Sequence, residues 1–168
     1  MPEPSDELDA DVMPNATQVV ASAVAEANGP EGEVLDWLTV GWQTVEDSVR
    51  RLRQRIFMAS REGDLEKVRN LQKLILRSRA NALLSVRRVT DVNAGRKTAG
   101  VDGVVVKDPI GKTGLAEQVQ HQTASTTGRP VRRVFIPKRG STKQRPIGIP
   151  VIVDRCRQAA VVNTPGPK

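Results

Sequence analysis

Tyrosine is missing from this sequence, and the aromatic residues are limited to Trp37, Trp42, Phe57 and Phe135. A core drawn from such a chain has to be aliphatic, built from Val, Leu, Ile and Ala. Cysteine occurs once, as Cys156, which rules out an internal disulfide and a cysteine-cluster zinc site. A single thiol suits a reducing compartment, so the expected location is the cytoplasm. Histidine also occurs once, as His121 in a polar Gln/Thr/Ser-rich stretch, the setting of a loop residue rather than of a ligand or base. No run approaches the ~18 apolar residues of a membrane span, and the acidic start is unlike the positive opening of a secretory signal. Lys and Arg are absent from residues 1–36.

That last absence is the other side of a strong charge segregation. Residues 1–36 hold nine acids, whereas residues 37–168 hold all 26 basic residues against ten acids, a balance of +16. Small domains usually carry a net charge of ~2–8. A basic body behind an acidic leader is the footprint of a polyanion binder, with nucleic acid as the expected partner. The leader is rich in Ala, Pro and Glu and reads as disordered, with order beginning near Trp37. ATQVVASAVAEA has the composition of a short helix, which Asn28-Gly29-Pro30 would end.

Helical spacing begins at Trp42. Trp42, Val45, Val49, Leu52 and Ile56 share one arc at about 100° per residue, and Arg50, Arg51 and Arg55 lie outside it. Gly63-Asp64 ends this helix near Ser60, and Asp64 is the expected N-cap of a second, spanning 65–86, with Glu66 in its first turn. Val68, Leu71, Ile75, Ala82 and Val86 form the second apolar stripe. Arg69, Lys73 and Arg77, at i, i+4 and i+8, make a basic ridge, with Arg87 and Arg88 in the last turn where cations suit the helix dipole. For one helix such a ridge is ordinarily a solvated face; two in succession point to an RNA-facing surface. DVNAGRKTAGVDG (91–103), with Arg96 and Lys97, reads as a loop whose glycine backbone can approach a phosphate. It is not a Walker loop, since the closing Gly-Lys-Ser/Thr is absent. GKTG at 111–114 lacks the strand and upstream glycine of a phosphate loop, and a short helix followed by a polar linker is expected over 115–127.

RRVFIPKRGSTKQRPIGIP (132–150) concentrates cations in a hairpin pattern. Val131–Ile136 and Gln144–Ile149 are rich in β-branched residues and flank a reversal at Gly140. Pro137, Pro146 and Pro150 restrict the strands to edge positions. Arg132, Arg133, Lys138, Arg139, Lys143 and Arg145 make the hairpin a candidate clamp for phosphates. VIVDRCRQAAV then has the pattern of an amphipathic helix, with Asp154 near its start.

The order of these segments resembles the N-terminal and fingers region of group II intron-encoded reverse transcriptases (maturases). The resemblance is carried by Trp42, Val49–Ile56, Gly63-Asp64, Leu71–Leu74, Ser78, Ala80 and Val86–Thr90. It continues through the Gly-Val-Asp-Gly loop at 100–103, Arg133–Lys138, Arg145–Pro150 and Asp154-Arg155…Gln158, with Ala99 where the family usually has Pro. It implies that the basic helices and loop grip template or intron RNA and that the hairpin closes over an incoming deoxynucleotide. Lys138 and Arg145 match the positions that meet the triphosphate. The complete polymerases have a right-hand fold and use two Mg²⁺ ions held by palm aspartates. The palm motif Tyr-Ala-Asp-Asp is absent, no Asp-Asp pair occurs, and Asp154 belongs to the fingers motif rather than to a metal site.

The expected fold is α+β: two N-terminal amphipathic helices beside a fingers-type β-hairpin, an incomplete right-hand polymerase behind a disordered acidic leader. The expected divisions are 1–36 leader, 37–90 helical region, 91–160 loop and fingers hairpin, and 161–168 tail. The helical part is expected to hold together while 91–168 stays mobile. VVNTPGPK leaves the family pattern, so the chain is expected to be a fragment, with no cofactor or enzymatic activity of its own. RNA is the expected partner, with a deoxynucleotide and a palm-bearing partner chain as further ones, and no membrane. Two other readings remain: a stand-alone RNA-binding or splicing-helper protein without nucleotide binding, and an interaction module whose leader folds back on the basic body or recruits a partner.

Overall fold

A computed structural model describes residues 36–121, 129–140 and 142–166. The acidic leader up to residue 35, the polar stretch 122–128, residue 141 and the last two residues lie outside the described residues, and with them the expectations made for the leader and the linker. The architecture is α+β, with α1 at Trp42–Arg61, α2 at Leu65–Arg77 and α3 at Arg79–Arg87. A π-helical turn (Arg88–Val92) and a 3₁₀ turn (Ala94–Lys97) lead to α4 at Pro109–His121. Strands β1 (Arg132–Pro137) and β2 (Gln144–Ile149) precede α5 at Ile152–Val162.

The first helix follows its apolar stripe. Val49, Leu52, Ile56 and Ala59 are buried, while Trp42 and Val45 pack at the edge of the core. Asp64 caps α2 as expected, its carboxylate accepting from the Lys67 N–H at 2.9 Å. The expected second helix is two helices. Ser78 is extended (φ −73°, ψ 136°), and its hydroxyl accepts from the Asn81 N–H at 3.1 Å, so it ends α2 and caps α3. Periodicity hides this break because Ile75, Ala82 and Val86 remain buried on both sides of it.

α3 is the middle of the molecule. Six of its nine residues are buried, and they serve both hydrophobic clusters. Ala80 joins Val49, Leu52, Ile56, Val68, Leu71 and Ile75 in one, whereas Ala82, Leu83 and Val86 join Trp37, Val89 and residues of α4 and α5 in the other. A helix buried all round has no solvated face and needs partners for any polar side chain. Asn81, fully buried, has them: its amide donates to the carbonyls of Ile75 and Ala160, each at 3.1 Å. The Asn163 amide donates to Asn81 Oδ1 at 3.0 Å and to the Ser85 hydroxyl at 3.2 Å. The Ser85 hydroxyl in turn donates to the Asn81 carbonyl at 2.6 Å.

Residues 91–168 were expected to stay mobile beside the helical part, yet α4 and α5 share its core. Leu115, Ala116 and Val119 of α4 and Ile152, Val153 and Cys156 of α5 are buried in the same cluster as Trp37 and Val86. The loop between is tied down as well. Gly100 lies so close to the chain at 150–151 that a Cβ there would stand 2.7 Å from Val151 Cα. Its glycine thus serves a backbone-on-backbone contact within the fold rather than approach to a ligand.

The α+β class, helices with a β-hairpin, is the expected one. The five α-helices pack on one another, and neither strand contains a buried residue. β1 and β2 are antiparallel, with Arg132 opposite Ile149 and Pro137 opposite Gln144. The Lys138 N–H donates to the Lys143 carbonyl at 3.0 Å, which makes 138/143 a hydrogen-bonded pair. By alternation, Pro137 and Pro146 then fall in non-hydrogen-bonded pairs, where a missing N–H costs the ladder nothing. Among the described residues no helix is long and apolar enough to cross a membrane.

Two consequences are measurable. Asn81→Ala removes the buried carboxamide that bridges Ile75, Ala160 and Asn163, so denaturant unfolding is expected to show a loss of about 2 kcal/mol. Burial also pushes the Cys156 thiol up from 9.0 to about 12, against a smaller opposing pull from Arg155. Below the ordinary thiol pKa both states keep the proton and nothing changes. Above it the unfolded chain loses a proton that the folded chain retains, so stability falls with pH by up to about 1.4 kcal/mol per unit until the folded thiol ionises. Unfolding curves between pH 9 and 11 are expected to show that extra slope in the native sequence and not in Cys156→Ala.

Candidate nucleic-acid interface

The hairpin register decides which cations stand together. Side chains alternate along a strand, and directly opposed residues share a face. Arg132, Val134 and Ile136 therefore share one face with Ile149, Ile147 and Arg145. The 138/143 pair extends that face by one step at the closed end. Lys138, Lys143 and Arg145 thus gather where the strands reverse, beside the aliphatic strip formed by Val134, Ile136, Ile147 and Ile149. Arg139 is in the turn itself, next to Gly140 at φ 74°. Arg133 and Phe135 lie on the opposite face, where Phe135 is 56% exposed. The arrangement offers an Arg fork for a planar oxyanion contact and two ammonium groups as point charges.

The cations of α1 divide between two sides of the helix. At about 100° per residue, Arg50 and Arg53 flank the buried stripe of α1 on one side and Arg51 and Arg55 flank it on the other. All four are exposed, and Arg50 is paired with Asp47 at 2.9 Å. Arg69, Lys73 and Arg77 run along the exposed side of α2 and make no ion pair among the described residues. Arg88 is exposed at the start of the π turn, and Arg96 and Lys97 are exposed in the 3₁₀ turn.

Arg87 is held differently from the other candidates. Its guanidinium donates to Glu46 at 3.0 Å and lies 4.6 Å from the centroid of the Trp42 ring. Trp42 meets Trp37 edge to face at 4.9 Å, and Lys112 stands 5.5 Å from the Trp37 ring while paired with Asp91 at 2.6 Å. These two tryptophans therefore join α1, α3, the π turn and α4. Sequence reading did not anticipate Lys112 or Arg155. The Arg155 guanidinium donates to the carbonyls of Gly95 at 3.1 Å and Thr98 at 2.8 Å, which holds the loop carrying Arg96 and Lys97 against α5. Arg155 is part of the Asp154-Arg155 motif, but its partners, main-chain carbonyls 57 and 60 residues away, leave no mark in the sequence.

No group of three or more His, Cys, Asp or Glu side chains able to hold a metal stands together among the described residues. The donor set of the described residues therefore does not fit the two-metal site of a complete polymerase, which needs ions about 3.5–4 Å apart between shared carboxylates. Asp154 faces Arg157, with a contact of 3.4 Å.

The two kinds of arginine are separable by substitution. Arg87→Met removes a half-exposed ion pair and a cation–π contact, and thermal or urea unfolding is expected to report a loss of about 1 kcal/mol. Arg77→Met touches neither and is expected to stay within about 0.5 kcal/mol of the native stability.

No curated protein matches the chain. Residues 37–119 match the family model described as the N-terminal domain of reverse transcriptase, a span that runs from the buried Trp37 to Val119 in α4. Residues 37–119 therefore form an N-terminal domain of the reverse-transcriptase type.

Proposed function

We propose that this chain is an RNA-binding N-terminal and fingers segment of a group II intron-type reverse transcriptase, without polymerase activity by itself. The observation that carries the reading is the continuity between the matched domain and the hairpin. Gly100 and Arg155 lock the loop of the matched domain onto the start of α5, immediately after β2. The hairpin is thereby anchored to the helical body at its C-terminal end. A rigid base of that kind is what a clamp on a triphosphate or template backbone requires.

In this reading Lys138 and Arg145 meet the nucleotide triphosphate, with Lys143 and Arg139 beside them. Arg51, Arg55, Arg69, Lys73, Arg77, Arg88, Arg96, Lys97, Arg132 and Arg133 hold RNA phosphates. Arg50 and Arg87 contribute less, because Asp47 and Glu46 already engage them. Mg²⁺ and the chemistry of synthesis belong to a palm that this sequence does not contain, supplied by another chain or another part of a longer one. A cytoplasmic location accords with the single buried thiol.

The second reading, a stand-alone RNA binder that makes no use of the hairpin, is favoured by the exposed cations of α2, which do not depend on β1 and β2. Binding to an intron RNA and to a plain duplex of equal length separates the two. Neutralising ~6–10 phosphates predicts a loss of ~10³–10⁵ in affinity between ~50 and ~200 mM salt on both RNAs. The fingers reading further predicts that Lys138→Glu with Arg145→Glu abolishes deoxynucleotide binding and leaves the α2-dependent RNA affinity reduced only electrostatically. Incorporation of deoxynucleotides on a primed RNA template by the purified chain with Mg²⁺ would contradict the proposed inactivity.

A further inference from the structure

A groove of about 550 Å³ runs along the side of α1 away from Arg51 and Arg55. Val49, Phe57, Leu84 and Pro165 supply its apolar lining, and Arg50 and Arg53 stand along it. Phe57 is 48% exposed there. The Arg53 guanidinium makes no ion pair among the described residues. An occupant suited to this groove carries short apolar side chains together with carboxylates.

The leader has that composition. Residues 3–13, outside the described residues, read EPSDELDADVM and place five acids around Leu8, Val12 and Met13, with no cation. The attachment point is favourable as well. The described chain begins at Asp36, and Trp37 is fixed in the core. From the Trp37 ring the contacts run to Trp42, from Trp42 to Arg87, and from Arg87 to Glu46, which lines the groove. The leader therefore leaves the body within three side-chain contacts of the groove. Helix α1 is about 30 Å long, a distance about ten extended residues cover, and more than twenty separate residues 3–13 from Asp36.

We propose that residues 3–13 dock in the groove beside α1, with their carboxylates on Arg53 and their apolar side chains on Phe57 and Leu84. The docked leader occupies a basic flank of the helical body and competes with other polyanions for it. The docking stands on the groove and on charge complementarity alone; its effect on RNA rests on the function proposed above.

The full chain tests both parts. A nitroxide is attached at Ser5→Cys, and the unsubstituted protein treated in the same way is the blank, because Cys156 is buried. Docking predicts paramagnetic broadening of the amides of Val49–Phe57 at low salt. The broadening is expected to disappear at high salt and when Glu3, Asp6, Glu7, Asp9 and Asp11 are replaced by Gln or Asn. Absence of broadening on α1, or equal broadening when the nitroxide is on a different molecule from the observed amides, overturns docking within the chain. Neutralising the five acids is further expected to raise affinity for an RNA duplex about tenfold at low salt, a size usual for coupling between two ligands. Broadening on α1 with no gain in affinity leaves the docking standing and overturns its role in RNA binding.

Discussion

The carboxamide of Asn81 reaches two carbonyls of neighbouring helices, those of Ile75 at the end of α2 and Ala160 in α5. Asn163 closes the set from the far end of α5. Polar atoms at such depth cost several times more unpaired than they return when paired, so the network tolerates one arrangement of the three helices and penalises the rest. Aliphatic contacts around it are less selective, since Val, Leu and Ala accept many packings at similar energy. The orientation of α5 follows from Asn81, and with it the direction in which the chain leaves β2.

That direction matters because the hairpin has no support of its own. A two-stranded ribbon is marginal in water, and neither strand here buries a residue. Its base is fixed by what surrounds it: Gly100 against Val151, Arg155 on the carbonyls of Gly95 and Thr98, and Ile152 and Val153 in the core. Charge is arranged along the same division. The cations of α3 and α4 that meet aromatic rings are paired with acids and hold the body together, whereas those of α2 and the hairpin tip face outward.

Much of this was legible in the sequence wherever one local rule acted alone. The α1 stripe, the Asp64 cap, both strands and the reversal at Gly140 follow from periodicity and turn chemistry. The break at Ser78 did not, because a serine in a helical pattern carries no warning when the apolar residues on both sides keep facing the core. Helix α4 was expected to begin at 115 rather than at Pro109, since GKTG at 111–114 lacks apolar periodicity and contains two glycines. The integration of α4 and α5 into the core was missed for a related reason: each is short, and what holds it is on α3, dozens of residues away. At the candidate interface, charge and register together identify the cations at the hairpin tip. The separate engagement of Arg87 by Glu46 and Trp42 is a long-range contact that charge counting cannot see.

Native-state hydrogen exchange on the full chain tests most directly whether α5 and the base of the hairpin form one body with the matched domain. The prediction is that the most protected amides of α3 and of α5 exchange with the same opening free energy and the same denaturant dependence, because Asn81 and Asn163 cannot part without exposing both helices. Amides of α5 that exchange through a smaller opening, while α1–α3 stay protected, would contradict the account and leave the hairpin on a detachable arm.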